Sequence, residues 1–93
     1  MARLLVAENR FAEALQLLQE LNDLHPDKTQ ILGRIGLLQL EMKRWAEAEL
    51  TFRKLLRVEP NHERSRYYLG LALSGSGDYH GALQELALVS SDS

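Results

Sequence analysis

A chain of 93 residues holds one domain at most and buries only about 60–65% of the surface its unfolded form exposes. Its 11 Lys and Arg stand against 13 Asp and Glu, a formal charge of −2, which argues against non-specific binding to nucleic acid. Cysteine is absent, excluding a disulfide framework, a thiolate zinc site and a thiol nucleophile.

The first eleven residues, MARLLVAENRF, hold an apolar run too short for a signal-peptide core. No stretch approaches the roughly 20 apolar residues of a membrane span. Residues 1–8 read as the tail of a helix, Asn9-Arg10 as a tight turn and residues 11–24 as a second helix. In that helix Phe11, Ala14, Leu15, Leu18, Leu21 and, less centrally, Leu17 recur at three- and four-residue steps on one face. His25-Pro26 stops it, because the residue before proline is pushed out of the α region. Asp27 then reads as an N-cap, with Gln30 completing a capping box.

Residues 28–42 predict a helix with Ile31, Leu32, Ile35, Leu38 and Met42 inward and Gly36 in its middle. An internal helical glycine costs about 1 kcal/mol relative to alanine, so Gly36 is expected to let a partner helix approach closely. Lys43-Arg44 makes the next turn. Residues 45–58 follow as a helix with Trp45, Ala48, Phe52, Leu55 and Leu56 inward, Trp45 being the expected anchor of the hairpin. Pro60 ends it and Asn61 is placed to cap its successor. Residues 62–74 carry Leu69, Gly70 and Leu73. Gly75-Ser76-Gly77 makes a looser turn and Asp78 reads as an N-cap. Residues 79–90 carry Tyr79, Ala82, Leu83, Leu86 and Val89, weakened by Gly81, before a frayed SSDS tail.

Shifting the chain by 34 residues lays it on itself. Pro26 falls on Pro60, Gly36 on Gly70, and Phe11, Trp45 and Tyr79 form one column. Ala14, Ala48 and Ala82 form a second column, and Leu18, Phe52 and Leu86 a third. A period in this range marks a helical repeat array. The register divides the chain into 1–28, a partial repeat, 29–62, a complete one, and 63–93, a third lacking its closing residues. It is entered partway through a helix and left before a closing proline, so a single domain cut from a longer protein is expected. Its location is then unassigned, with cytoplasmic the default.

A 34-residue helix–turn–helix with two small positions and a closing proline resembles the tetratricopeptide repeat. The complete repeat matches that pattern at Leu32, Ile35, Gly36, Gln39, Ala48, Phe52 and Pro60; the third at Leu69, Gly70, Leu73, Ala82 and Leu86; the first at Ala14, Leu18 and Pro26. Gln39 and Arg66 depart from it, yet both are long enough to bury a stem and keep the polar end wet. The resemblance implies an all-α fold, a right-handed α-solenoid of antiparallel helical hairpins with about two and a half to three repeats. It also implies a concave groove lined by the first helix of each repeat.

No enzyme is legible. His25, His62 and His80 sit near helix ends without metal-ligand spacing, and Glu47, Glu49 and Glu59 fall on outward faces with no converging carboxylate. Ser74 and Ser76 near His80 lie in a glycine turn without oxyanion donors, and that turn lacks the lysine and preceding strand of a phosphate loop. No metal or cofactor is expected. On the groove face the period places Arg3 and Val6; then Gln30, Gly33, Arg34, Leu37 and Glu41; then Arg64, Tyr67, Tyr68 and Leu71. Aromatic and arginine residues are what binding hot spots use. Domains of this family that grip a chaperone's C-terminal carboxylate use a Lys/Asn/Asn/Lys/Arg clamp. Here Arg34 stands where an asparagine would be, and Leu37 and Leu71 offer no amide, which disfavours that role. The expected function is an interaction module for a peptide or protein segment with acidic and apolar residues; the alternative is a structural spacer or self-association segment. Leu83, Leu86 and Val89 have no following helix, so self-association through uncapped ends is also expected.

Overall fold

A computed structural model describes residues 2–26 and 28–89, with side chains from Arg10 onward. It consists of α1 (Ala2–Leu24), α2 (Thr29–Glu41), α3 (Trp45–Val58), α4 (Glu63–Ser76) and α5 (Tyr79–Val89), with no strand among the described residues. Each helix packs on its neighbours in sequence, and α2 also meets α4. The expected all-helical repeat architecture is what forms.

Contacts across α2 and α3 fix their direction. Gly33 faces Leu55, Gly36 faces Phe52 and Gln39 meets Thr51, so advancing along one helix retreats along the other. The α4–α5 pair repeats this, with Arg66 on Glu85 and Gly70 against Leu86 and Ala82. A Cβ at Gly36 would lie 2.7–2.8 Å from the Cε atoms of Phe52, and one at Gly70 would lie 2.8 Å from Leu86 Cγ. Both glycines therefore let a partner side chain lie directly on the backbone. Ala48, Phe52, Leu69, Ala72, Leu73 and Ala82 form one buried cluster, against which Leu40, Leu56 and Tyr68 pack. Leu15, Leu32, Ile35 and Leu55 are buried nearer the N-terminal end.

The turn after α2 is a full Schellman motif. Arg44 N–H donates to Gln39 O at 2.8 Å and Lys43 N–H to Leu40 O at 3.0 Å, satisfying carbonyls the helix leaves orphaned. Lys43 stands at φ 59° in the left-handed region, where a side chain is strained. The turn after α4 repeats it, Asp78 N–H reaching Leu73 O at 2.9 Å, with Gly77 at φ 97°.

Several expectations are corrected. No turn forms at Asn9-Arg10, since α1 is one continuous helix through both. Asp27 lies outside the described residues; α2 begins after Lys28, which makes no side-chain cap. His62, not Asn61, caps α4, its Nδ1 accepting the Ser65 N–H at 3.2 Å, while Asp78 accepts the Gly81 N–H at 3.0 Å as expected of a cap. Gln39 is buried rather than wet, its Oε1 accepting the Thr51 hydroxyl at 2.6 Å. The Arg66 guanidinium is engaged too, pairing with Glu85 at 3.2 Å and donating to Pro60 O at 2.9 Å. Phe52, fully buried, is the anchor of the central hairpin. Trp45 is half-buried and lies over Gly75 of α4, where a Cβ would fall 2.6 Å from its Cε2 and Cε3 atoms. Tyr79, its counterpart one repeat on, is 66% exposed, because no helix among the described residues follows α5 to supply what α4 supplies to Trp45. Leu83 is exposed for the same reason, and Leu17 and Leu21 are exposed on α1.

Two tests follow from the glycine geometry. Gly36→Ala should destabilise by about 1–3 kcal/mol, since its methyl must displace a buried ring. Gly33→Ala, whose Cβ would meet only Leu55 Cδ1 at 3.6 Å, should stabilise by up to about 1 kcal/mol. Urea unfolding midpoints moving in opposite directions check this. Lys43→Gly should likewise stabilise, by about 1 kcal/mol, by relieving the left-handed strain; an unchanged or lowered midpoint would count against the turn.

Candidate functional site

α3 packs against both α2 and α4, and α2 and α4 also meet each other directly. The face they share holds two recesses. The first, about 490 Å³, is bounded by Thr29, Gln30, Gly33, Arg34 and Leu37 from α2 and by Arg64, Ser65 and Tyr68 from α4, with Phe52 and His62 behind them. The second, about 510 Å³, is bounded by Leu37, Leu40 and Glu41, by Lys43 and Trp45 across the turn, and by Tyr68, Leu71, Ser74 and Gly75. Leu37 and Tyr68 line both, so the two are halves of one groove.

The halves differ in chemistry. The one at the N-terminal ends of α2 and α4 carries Arg34 and Arg64, both exposed. Arg44, Arg53 and Arg66 each pair with a glutamate, whereas Arg34 and Arg64 form no ion pair among the described residues. The Thr29 hydroxyl donates to Glu59 Oε1 at 2.5 Å, tying the start of α2 to the end of α3 at this rim. The opposite half is walled by leucines, Trp45 and Tyr68. Tyr68 is held in place by Phe52, its ring centroid 5.6 Å from the Phe52 ring at an interplanar angle of 34°.

The sequence-expected groove residues distribute as follows. Gln30, Arg34, Leu37, Arg64 and Tyr68 line the basic half, and Leu37, Tyr68 and Leu71 the apolar half. Tyr67 lines neither; it is exposed beside the groove, its ring 5.7 Å from that of Tyr68. The side chains of Arg3 and Val6 lie outside those described, and their segment runs on within α1 instead of forming a hairpin arm. Trp45, Leu40 and Gly75 belong to the groove although the period alone assigned none of them to it. Trp45 reaches it because the left-handed Lys43 turn brings the first residue of α3 back beside the end of α2.

No group of three or more His, Cys, Asp or Glu suited to a metal gathers among the described residues, and none of the described helices is long and apolar enough to cross a membrane. Among curated proteins, none matches the chain. The profile of the tetratricopeptide repeat matches residues 5–73, spanning α2, α3, most of α1 and nearly all of α4. With that match and paired helices repeating at 34 residues, the chain belongs to the tetratricopeptide repeat family.

Proposed function

We propose that the groove between α2 and α4 binds a segment of another protein, placing acidic residues at Arg34 and Arg64 and an apolar side chain against Trp45. Repeats of this family generally mediate protein–protein interaction and are typically non-catalytic. The observation that carries the finer reading is the pair of exposed arginines without ion-pair partners beside an apolar recess. An arginine already held by glutamate must lose that contact to bind a ligand; Arg34 and Arg64 have none among the described residues to lose. The groove supplies charge at one end and apolar contact at the other, so it also sets the direction in which a segment lies. Opposite charge speeds association and makes it depend on salt, while Trp45, Tyr68 and the leucines prolong the bound state.

Trp45 is the chain's sole tryptophan, so its emission reports on the apolar half directly. The test titrates synthetic acidic peptides bearing one Leu or Phe, with controls in which the acids are replaced by Lys or the apolar residue by Ser. The acidic–apolar peptides are expected to shift the emission and the controls to bind more weakly. Arg34→Glu with Arg64→Glu should weaken binding about tenfold or more at low salt and less at high salt, leaving the urea midpoint nearly unchanged. Tyr67→Ala, beside the groove, should change affinity little. If the double reversal leaves affinity unaltered, the groove is not the binding face and the structural-spacer reading stands.

A further inference from the structure

Residues 2–24 carry the sequence of a helical hairpin but form one helix, and the mismatch leaves a specific face uncovered. In the central hairpin α2 covers Thr51, Phe52 and Leu55 of α3, through Gln39, Gly36 and Gly33. Subtracting 34 places Leu17, Leu18 and Leu21 at the same points of α1. Leu55 is 0% exposed, while Leu21 is 45% and Leu17 62% exposed. In the hairpin register, Leu17 and Leu18 are the positions that residues 2–8 would cover.

The sequence that fits this face is in the chain. Residues 2–8 align with residues 36–42, Ala2 on Gly36 and Leu5 on Gln39. Where the central hairpin sets Gln39 against Thr51, the same register would set Leu5 against Leu17, an apolar pair in place of a polar one. Where Gly36 receives the Phe52 ring, the register would bring Ala2 opposite the smaller Leu18. Asn9 aligns with Lys43 and Gly77, the two left-handed turn residues, and asparagine is the residue after glycine that such a position favours. Yet Asn9 is helical here. With α1 continuous, residues 2–8 lie in line with residues 11–24 and cannot reach their own face.

We propose that this face is covered by residues 2–8 of a second copy of the chain, the two α1 helices crossing antiparallel in a reciprocal exchange of the first hairpin arm. The pairing is isologous: each copy gives its arm to the other and the same contacts form twice. It uses the hairpin's own register, so Leu5 of one copy meets Leu17 of the other, and the dyad passes near Phe11. The α2–α4 groove is left open.

The test is made on the full chain, which has no native cysteine. Sedimentation should give twice the chain mass, and Leu17→Glu should raise the dimer dissociation constant about tenfold or more without altering helicity or Trp45 emission. In the Leu5→Cys, Leu17→Cys double variant, oxidation should give a covalent dimer on non-reducing gels, with neither single variant doing so. A disulfide formed within one chain would mean that the hairpin closes on itself and would overturn the exchange. So would a strict monomer at the highest soluble concentration, or a dimer that survives Leu17→Glu.

Discussion

The contact on which the rest of the structure depends is that of the Phe52 ring with the bare backbone of Gly36. Removing one methyl group lets α2 settle on α3 closely enough for the ring to be fully buried. The same ring packs, tilted, against Tyr68 of α4, so one side chain touches both helices that flank the groove. Phe52 also lies behind the basic half of that groove. A change that pushes α2 off Phe52 therefore moves one wall of the groove relative to the other, and packing in the core becomes geometry at the surface.

The 34-residue register and the columns through Gly36, Phe52, Ala48 and Gly70 were legible because each depends on local spacing and residue size alone. Ala48 and Ala82 are small residues buried at the same repeat position, and sequence spacing carries that information directly. The aromatic column was less legible. Phe11, Trp45 and Tyr79 share a position, but burial there comes from the following helix, which α4 gives Trp45 and no described helix gives Tyr79. The turn at Asn9-Arg10 was misread for a related reason. The residues suit a left-handed turn, but a turn forms only when the arm it returns gains enough by packing, and helix propagation through Asn9 competes with it. In the groove, Arg34, Leu37 and Leu71 followed from helical period, while Trp45 entered through a backbone turn that no period describes.

The polar groups between paired helices make the hairpins distinguishable. In α2–α3 the polar crossing is Gln39 with Thr51, and Leu32, seven residues earlier, is apolar and buried. In α4–α5 the arrangement is reversed: Leu73, the counterpart of Gln39, is buried, and Arg66, the counterpart of Leu32, carries the polar crossing to Glu85. Each hairpin thus takes its polar residue from a different level of its first helix, while Thr51 and Glu85 share one position of the second. If α2 slipped by one turn on α3, the buried Gln39 would lose the Thr51 hydroxyl, and a buried polar group left without a partner costs about 1–3 kcal/mol. Leucine faces alone would resist such a slip weakly, because neighbouring turns present nearly the same apolar surface. The groove depends on that register, since a slip of one turn would carry Arg34 and Leu37 about 5.4 Å along the helix axis, away from Arg64 and Tyr68. The polar pairs behind the groove therefore hold its charged and apolar halves opposite their partners on α4.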